Sequence, residues 1–221
     1  MKVSIHQPLF FPWLGFWNKM YLSELFVLLD VAQYNKGDFQ NRNRFRGPEN
    51  NCWLTVPVKK SSRKTPINQK IIDYNLDWQS KHINRITSYY AKAQHFDEVI
   101  KKILPLYQQR YETLAEMNRI IITEIAKILS IKTKIIESSS LGMTHTIGGH
   151  DTNLNICKKL NANIYISGPF GAEYLNVNEF EKRDIDVFFH EFFDGNEPMS
   201  IIDTLMIKGI KETERLIKQN V

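Results

Sequence analysis

The stretch Leu25-Phe-Val-Leu-Leu-Asp30 constrains the fold more than any other part of the chain. It is a continuous apolar run, too short for a helix and without the alternation of a strand that has one wet face. Closed by a carboxylate, it suits a strand covered on both faces, as in a parallel sheet flanked by helices. Upstream, residues 2–6 read as a short strand. Residues 13–23 read as a helix, with apolar or aromatic side chains at 13, 14, 16, 17, 20 and 21. Strand, helix and strand within 30 residues make a βαβ unit, with a right-handed crossover expected.

The rest of the chain fits an α/β plan. DFQNRNRF and CWLTVPV read as two strands joined by a turn at GPENN, a hairpin-like pair. The middle is helical: 77–92 with Asp77 as N-cap, about 96–109, and about 112–129 with a buried stripe at 114, 117, 121, 125 and 128. The pattern then alternates again. TKIIES, NIYIS (163–167) and DVFFHEF read as strands, and 150–160, VNEFEKR and 200–218 as helices. No repeat or linker interrupts the 221 residues. The expectation is one α/β domain with a mostly parallel central sheet and a helical insertion at about 77–130.

At 43% apolar the chain can bury a core, and no apolar stretch approaches the 18 residues of a membrane span. The start, MKVSIHQP, lacks the apolar segment and cleavage site of a signal peptide, so a cytoplasmic protein is expected. Cys52 and Cys157 are far apart and lack metal-ligand spacing, which suits two free thiols. The net charge of +5 is uneven. Residues 41–70 hold Arg42, Arg44, Arg46, Lys59, Lys60, Arg63, Lys64 and Lys70 against Glu49, a local +7 that leaves −2 elsewhere. Such a patch attracts phosphates.

His6 and Gln7 stand where the first strand ends, and Pro8 and Pro12 stiffen the loop that leads to the first helix. Ligands of open parallel sheets bind beyond the carboxyl ends of strands, so His6, Gln7, Asp30 and Gln33 are expected around one crevice. Along NRNR, strand alternation puts Asn41 and Asn43 on one face and Arg42 and Arg44 on the other. Asparagines can read amides or sugar hydroxyls, and a guanidinium can clamp a phosphate or carboxylate. In YISGPFGAEYL, Ser167, Gly168 and Gly171 follow a strand, where glycines let a ligand approach the backbone. A tight turn explains the same glycines equally well. Lys81 and His82 open a helix after Trp78, either facing the crevice or simply solvated. His145, His150 and Asp151 invite a zinc reading, but their spacing matches no closed tetrahedral set, and no metal is expected. There is no G-x-S-x-G elbow, Walker sequence or nucleic-acid-binding motif, so nucleic acid is an unfavoured partner.

HQPLFFPWLGFWNKM, LFVLLDVAQYNKGDFQNRNRF, WLTVPV, Trp78–His82, ICKKLNANIYISGPFGAEYL and SIIDTLMIKG together resemble the WbqC-like family over almost the whole chain. The positions that carry the resemblance include His6, Gln7, Trp13, Asp30, Gln33, Asn41, Arg42, Asn43, Trp53, Lys81, His82, Ser167, Gly168, Gly171 and Tyr174. One departure is Gly149–Asn153, where the family more often has a basic residue. The resemblance implies a role in O-antigen or other surface-polysaccharide biosynthesis, as transfer of an acyl or aminoacyl group, glycine being one candidate, to a nucleotide-linked amino sugar. By analogy with adenylate-forming ligases and nucleotidyltransferases, His6, Asp30, Lys81 and His82 are the expected catalytic residues. Gln7, Trp13, Gln33, Asn41, Arg42, Asn43, Ser167, Gly168, Gly171 and Tyr174 are expected to bind substrate. In that scheme His6 and Gln7 meet phosphate, Arg42 clamps an anion, Asp30 orients or deprotonates the amine, and Lys81 and His82 close over the site. The sequence leaves the cofactor unknown, with ATP a candidate. A non-catalytic nucleotide-sugar or polysaccharide-precursor binder is the alternative.

Overall fold

The computed structural model describes residues 1–47, 51–146, 148–192 and 198–219. Strand β1 (Lys2–His6), helix α1 (Leu14–Tyr21) and strand β2 (Leu25–Leu28) form the first unit, and β1 and β2 pair in parallel from Val3–Leu25 to His6–Leu28. All four residues of β2 are buried, as a continuous apolar run requires. An antiparallel pair comes next, β3 (Arg42–Phe45) with β4 (Cys52–Thr55), Arg42 facing Thr55 and Phe45 facing Cys52. The expected turn at 47–51 lies mostly outside the described residues.

Three helices lead away from this pair: α2 (Trp78–Tyr90), α3 (Phe96–Gln108) and α4 (Leu114–Ile128). Asp77 caps α2 by accepting from the Ser80 amide at 3.3 Å, and Thr113 caps α4 by accepting from Glu116 at 3.2 Å. The α/β alternation then resumes with β5 (Lys134–Glu137), α5 (His150–Lys159), β6 (Ile164–Ser167), α6 (Val177–Glu181), β7 (Asp186–Phe189) and α7 (Ile201–Ile217). The main sheet has five strands in the order β5-β2-β1-β6-β7, every neighbouring pair parallel. The fold is α/β. Its centre is aliphatic and aromatic, with Val3, Phe16, Trp17, Met20, Phe26, Val27 and Leu28 all sealed from solvent. Helix α1 packs on α7, and α3 packs on both α2 and α7. Among the described residues no helix is long and apolar enough to cross a membrane.

Two strands are shorter than their patterns suggest. The segment 38–45 pairs only from Arg42, because Asp38 closes a turn on Asn35 and accepts from the Phe39 amide at 2.7 Å. Strand β7 stops at Phe189, since the next side chain, His190, turns inward to Asn18. In α7 the helix breaks at Gly209 (φ 78°), where a Cβ would lie 2.7 Å from the His95 ring.

Candidate functional site

From β1 the sheet grows outward through β2 to β5; the chain then returns to the other flank of β1 and grows through β6 to β7. The direction reverses between β1 and β6. The crevice beyond the carboxyl ends of two such strands is where open α/β sheets bind ligands. His6 ends β1, and Ser167 ends β6.

The loop after His6 has two prolines and a left-handed residue, Phe11 (φ 42°), a conformation that costs a bulky side chain about 1–3 kcal/mol. Buried carbonyls in such a loop need donors. Side chains supply them. Asn118 donates to Pro8 O at 3.0 Å, Asn43 to Phe10 O at 3.0 Å and Phe11 O at 2.7 Å, and Trp17 Nε1 to Pro12 O at 3.0 Å. The buried Phe11 ring stacks on Tyr107 at 6.0 Å. Gln7 is held too, its Oε1 accepting from Gln40 Nε2 at 2.7 Å.

This rigid support aims His6. Its ring sits edge-on to Trp13 (5.8 Å) and Phe16 (5.0 Å), and Nδ1 meets Gln7 O at 3.0 Å. A carbonyl only accepts, so Nδ1 carries the hydrogen and Nε2 keeps its lone pair. Burial, then the charge of Lys19, lowers the His6 pKa to about 3, so the ring is neutral at pH 7 and is an acceptor at Nε2. Lys19, on α1, is 3% exposed; its Nζ donates to Ile5 O at 3.1 Å, and burial lowers its pKa to about 7. His190 completes the cluster. Its amide donates to Ser167 O at 2.8 Å, its Nε2 meets Asn18 Oδ1 at 2.5 Å, and burial with Lys19 lowers its pKa to about 4. Because the Asn18 amide nitrogen donates to Ile217 O at 2.5 Å, its Oδ1 must accept, and His190 Nε2 carries the hydrogen.

On the β6 side, Ser167 is buried and donates to Gly168 O at 3.1 Å. A Cβ on Gly171 would lie 1.9 Å from Ser167 Oγ, so this glycine is needed for packing. Gly168 differs: nothing lies within 4 Å of where its Cβ would be. Tyr174 is half exposed, its hydroxyl accepting from Asn153 at 3.4 Å.

Asp30 lies two residues past β2. Its buried carboxylate accepts from Ser138 Oγ (2.7 Å), the Ser139 amide (2.9 Å) and Asn68 Nδ2 (3.1 Å), tying β2 to the end of β5, on the flank of β1 away from β6. Half-buried Gln33 donates its amide to Thr146 O at 2.9 Å. The NRNR ribbon alternates as its pattern predicts, but the asparagines face protein. Asn43 is the loop clamp, and Asn41 donates to Val56 O at 2.8 Å. Outward, the Arg42 guanidinium lies 4.1 Å over the Trp53 ring and donates to Gly37 O. Ring contacts run from Trp53 through Phe39 (5.6 Å) and Trp13 (6.1 Å) to His6, joining the ribbon to the crevice.

Lys81 and His82 part company. Lys81 is exposed, while His82 is buried among Phe10 (6.0 Å), Trp78 (5.2 Å) and Tyr107 (5.8 Å), with Nε2 on Thr55 O at 3.2 Å. Burial lowers the His82 pKa to about 4.

A family model, the WbqC-like protein family, matches residues 7–215. The chain belongs to the WbqC-like family. Membership suggests a role connected with polysaccharide biosynthesis. An uncharacterized protein of Mycobacterium tuberculosis (strain ATCC 25618 / H37Rv) is 29% identical over 227 residues, covering 97% of each chain. No solved structure matches. Within this WbqC-like chain, sequence reading passed over Lys19, His190, Gln40 and Asn118. A signal existed for His190, which comes after a strand in DVFFHEF much as His6 closes one in KVSIHQP. Lys19 gave a fainter one, a lone charge in a helix otherwise rich in aromatics.

Proposed function

We propose that this protein acts in surface-polysaccharide biosynthesis and transfers an acyl or aminoacyl group, glycine being one candidate, to the amino group of a nucleotide-linked amino sugar. The observation that carries the reading is the neutral His6 imidazole at the switch point, its lone pair on Nε2 and its orientation fixed by Gln7 and Trp13. Such an acceptor suits an attacking amine: it takes one N–H as a hydrogen bond and leaves the nitrogen lone pair for the carbonyl carbon. A C–N bond forms as the bond from the acyl carbon to the donor's leaving group breaks, and the amine's surplus proton goes to that leaving group, directly or through water. The donor arrives activated or is activated by ATP.

The expected roles shift accordingly. His6 faces the amine rather than phosphate. Asp30 and Asn43 hold the walls of the crevice, since their polar atoms are engaged within the protein. Arg42 on Trp53 contacts an anionic portion of the substrate at the end of the aromatic run. Gln7, Trp13, Gly168 and Tyr174 line the approach.

The test incubates purified protein with nucleotide-linked 4-amino-4,6-dideoxy sugars, glycine and ATP, and tracks mass. Product that disappears in His6→Ala, in a variant with an unchanged melting profile, supports transfer. Tight nucleotide-sugar binding by calorimetry with no product establishes the non-catalytic binder instead. The engagement of Asp30 favours that second reading, because it removes the one carboxylate expected to act as a base.

A further inference from the structure

Lys19 is a buried amine without a counter-charge among the described residues. Its side chain donates to Ile5 O at 3.1 Å and lies 5.8 Å from the Phe26 ring centroid, and no carboxylate of the described residues pairs with it. Taking such a charge out of water costs several kcal/mol, and one backbone carbonyl repays little of it. Methionine would fill the same slot between α1 and β1 without that cost. The two groups that feel its charge, His6 and His190, are neutral, so neither supplies a negative partner. A bound anion would supply the missing charge and hold the amine protonated, against the burial that lowers its pKa to about 7. His6, which feels the Lys19 charge, is half-buried, as is Trp13 packed against it, so the side chains next to Lys19 meet solvent.

We propose that Lys19 anchors an oxyanion of the substrate, phosphoryl or carboxylate, at the crevice between β1 and β6. The inference rests on reading that crevice as the substrate site, and it adds the cation that His6 cannot be. Lys19 reaches Ile5, the residue before His6, and its charge is felt by the His6 ring, so one ligand group would be held by charge while a neighbouring amine is held by hydrogen bond.

Calorimetry on the full chain tests it with three probes: inorganic pyrophosphate, uridine diphosphate and glycine. Wild type is compared with Lys19→Met and with Lys211→Met, a control at an exposed position of α7. The expected result is binding of at least one probe by wild type and Lys211→Met, weakened about thirtyfold or more in Lys19→Met. A response to both phosphate probes identifies a phosphoryl anchor, and a response to glycine alone a carboxylate anchor. Equal affinity in Lys19→Met, or no binding of any probe by wild type, overturns the proposal. Should Lys19→Met not fold, nitrogen-15 lysine spectra of wild type decide: a Lys19 resonance that moves on adding the probes supports it, and an unmoved one overturns it. Product formation separates the two readings. Wild-type turnover by Lys19→Met removes the anchor and keeps the transfer, whereas probe binding through Lys19 without product does the reverse.

Discussion

Asn43 holds two successive carbonyls, Phe10 and Phe11, with one amide nitrogen, while its oxygen accepts from the Arg44 amide at 2.7 Å. Asn43→Ala strands these buried groups and releases a left-handed Phe11, so it is expected to cost about 2–4 kcal/mol in a urea unfolding curve. His6→Ala should cost less, because only one hydrogen bond and part of an aromatic contact are lost. The histidines also set an acid limit. His6, His82 and His190 all have folded pKa values below the ordinary 6.5, at about 3, about 4 and about 4. The unfolded chain therefore binds more protons as pH falls below 6.5, and their stabilisation, complete above that value, drains away down to about pH 3. Unfolding midpoints from about pH 8 to about pH 4 should fall on the acid side, and His82→Gln should flatten that fall. Lys19 acts in the alkaline range: stability should rise from pH 7 toward 10.5 as its ammonium loses the proton that burial disfavours, and Lys19→Met should remove that rise. At this scale the sequence showed which residues are polar among apolar neighbours, His6, Asp30 and Asn43 included. It did not show which had already been satisfied, because their partners, Ser138, Asn68 and the Phe10 carbonyl, are distant in the chain.

The elements repeat that lesson with a sharper boundary. Helices with a local cap were readable to within a residue or two, since Asp77 and Thr113 act on amides three residues ahead. Strands cut short by tertiary contacts were not: β7 ends because His190 is drawn to α1, 172 residues back in the chain. The turn after β6 shows a packing cause behind a glycine that would equally let a ligand approach the backbone. Gly171 leaves room for Ser167 Oγ, so Gly171→Ala should destabilise by about 2 kcal/mol or more. Adding Ser167→Ala removes the nearest atom, though the Ser167 Cβ remains 3.1 Å away, and should restore part of the loss in thermal unfolding. No recovery would mean that the backbone of residues 168–173, rather than the clash, sets the requirement.

The sheet order is a property of the whole molecule, and it alone locates the crevice. Local pattern identifies parallel strands but not their neighbours, and the long passage from β2 to β5, with its ribbon and three helices, leaves several orders compatible with the same pattern. Once β6 is placed beside β1, two sequence features far apart in the chain, IHQP and ISGP, come to lie at the carboxyl ends of neighbouring strands, on either side of the proposed gap. Gly168 offers the cleanest test of that gap. Its backbone (φ −71°, ψ 166°) is extended, a conformation any residue adopts, and the space where a side chain would project is open. Gly168→Val should therefore leave stability within about 0.5 kcal/mol. It should also lower the affinity for a nucleotide-linked sugar about tenfold or more, because the isopropyl group occupies the space the ligand needs. A melting curve and a calorimetric titration on the same preparation check both halves. Unchanged affinity with unchanged melting would move the ligand away from the β1–β6 gap, and with it both the role given to the His6 acceptor and that given to the Lys19 charge.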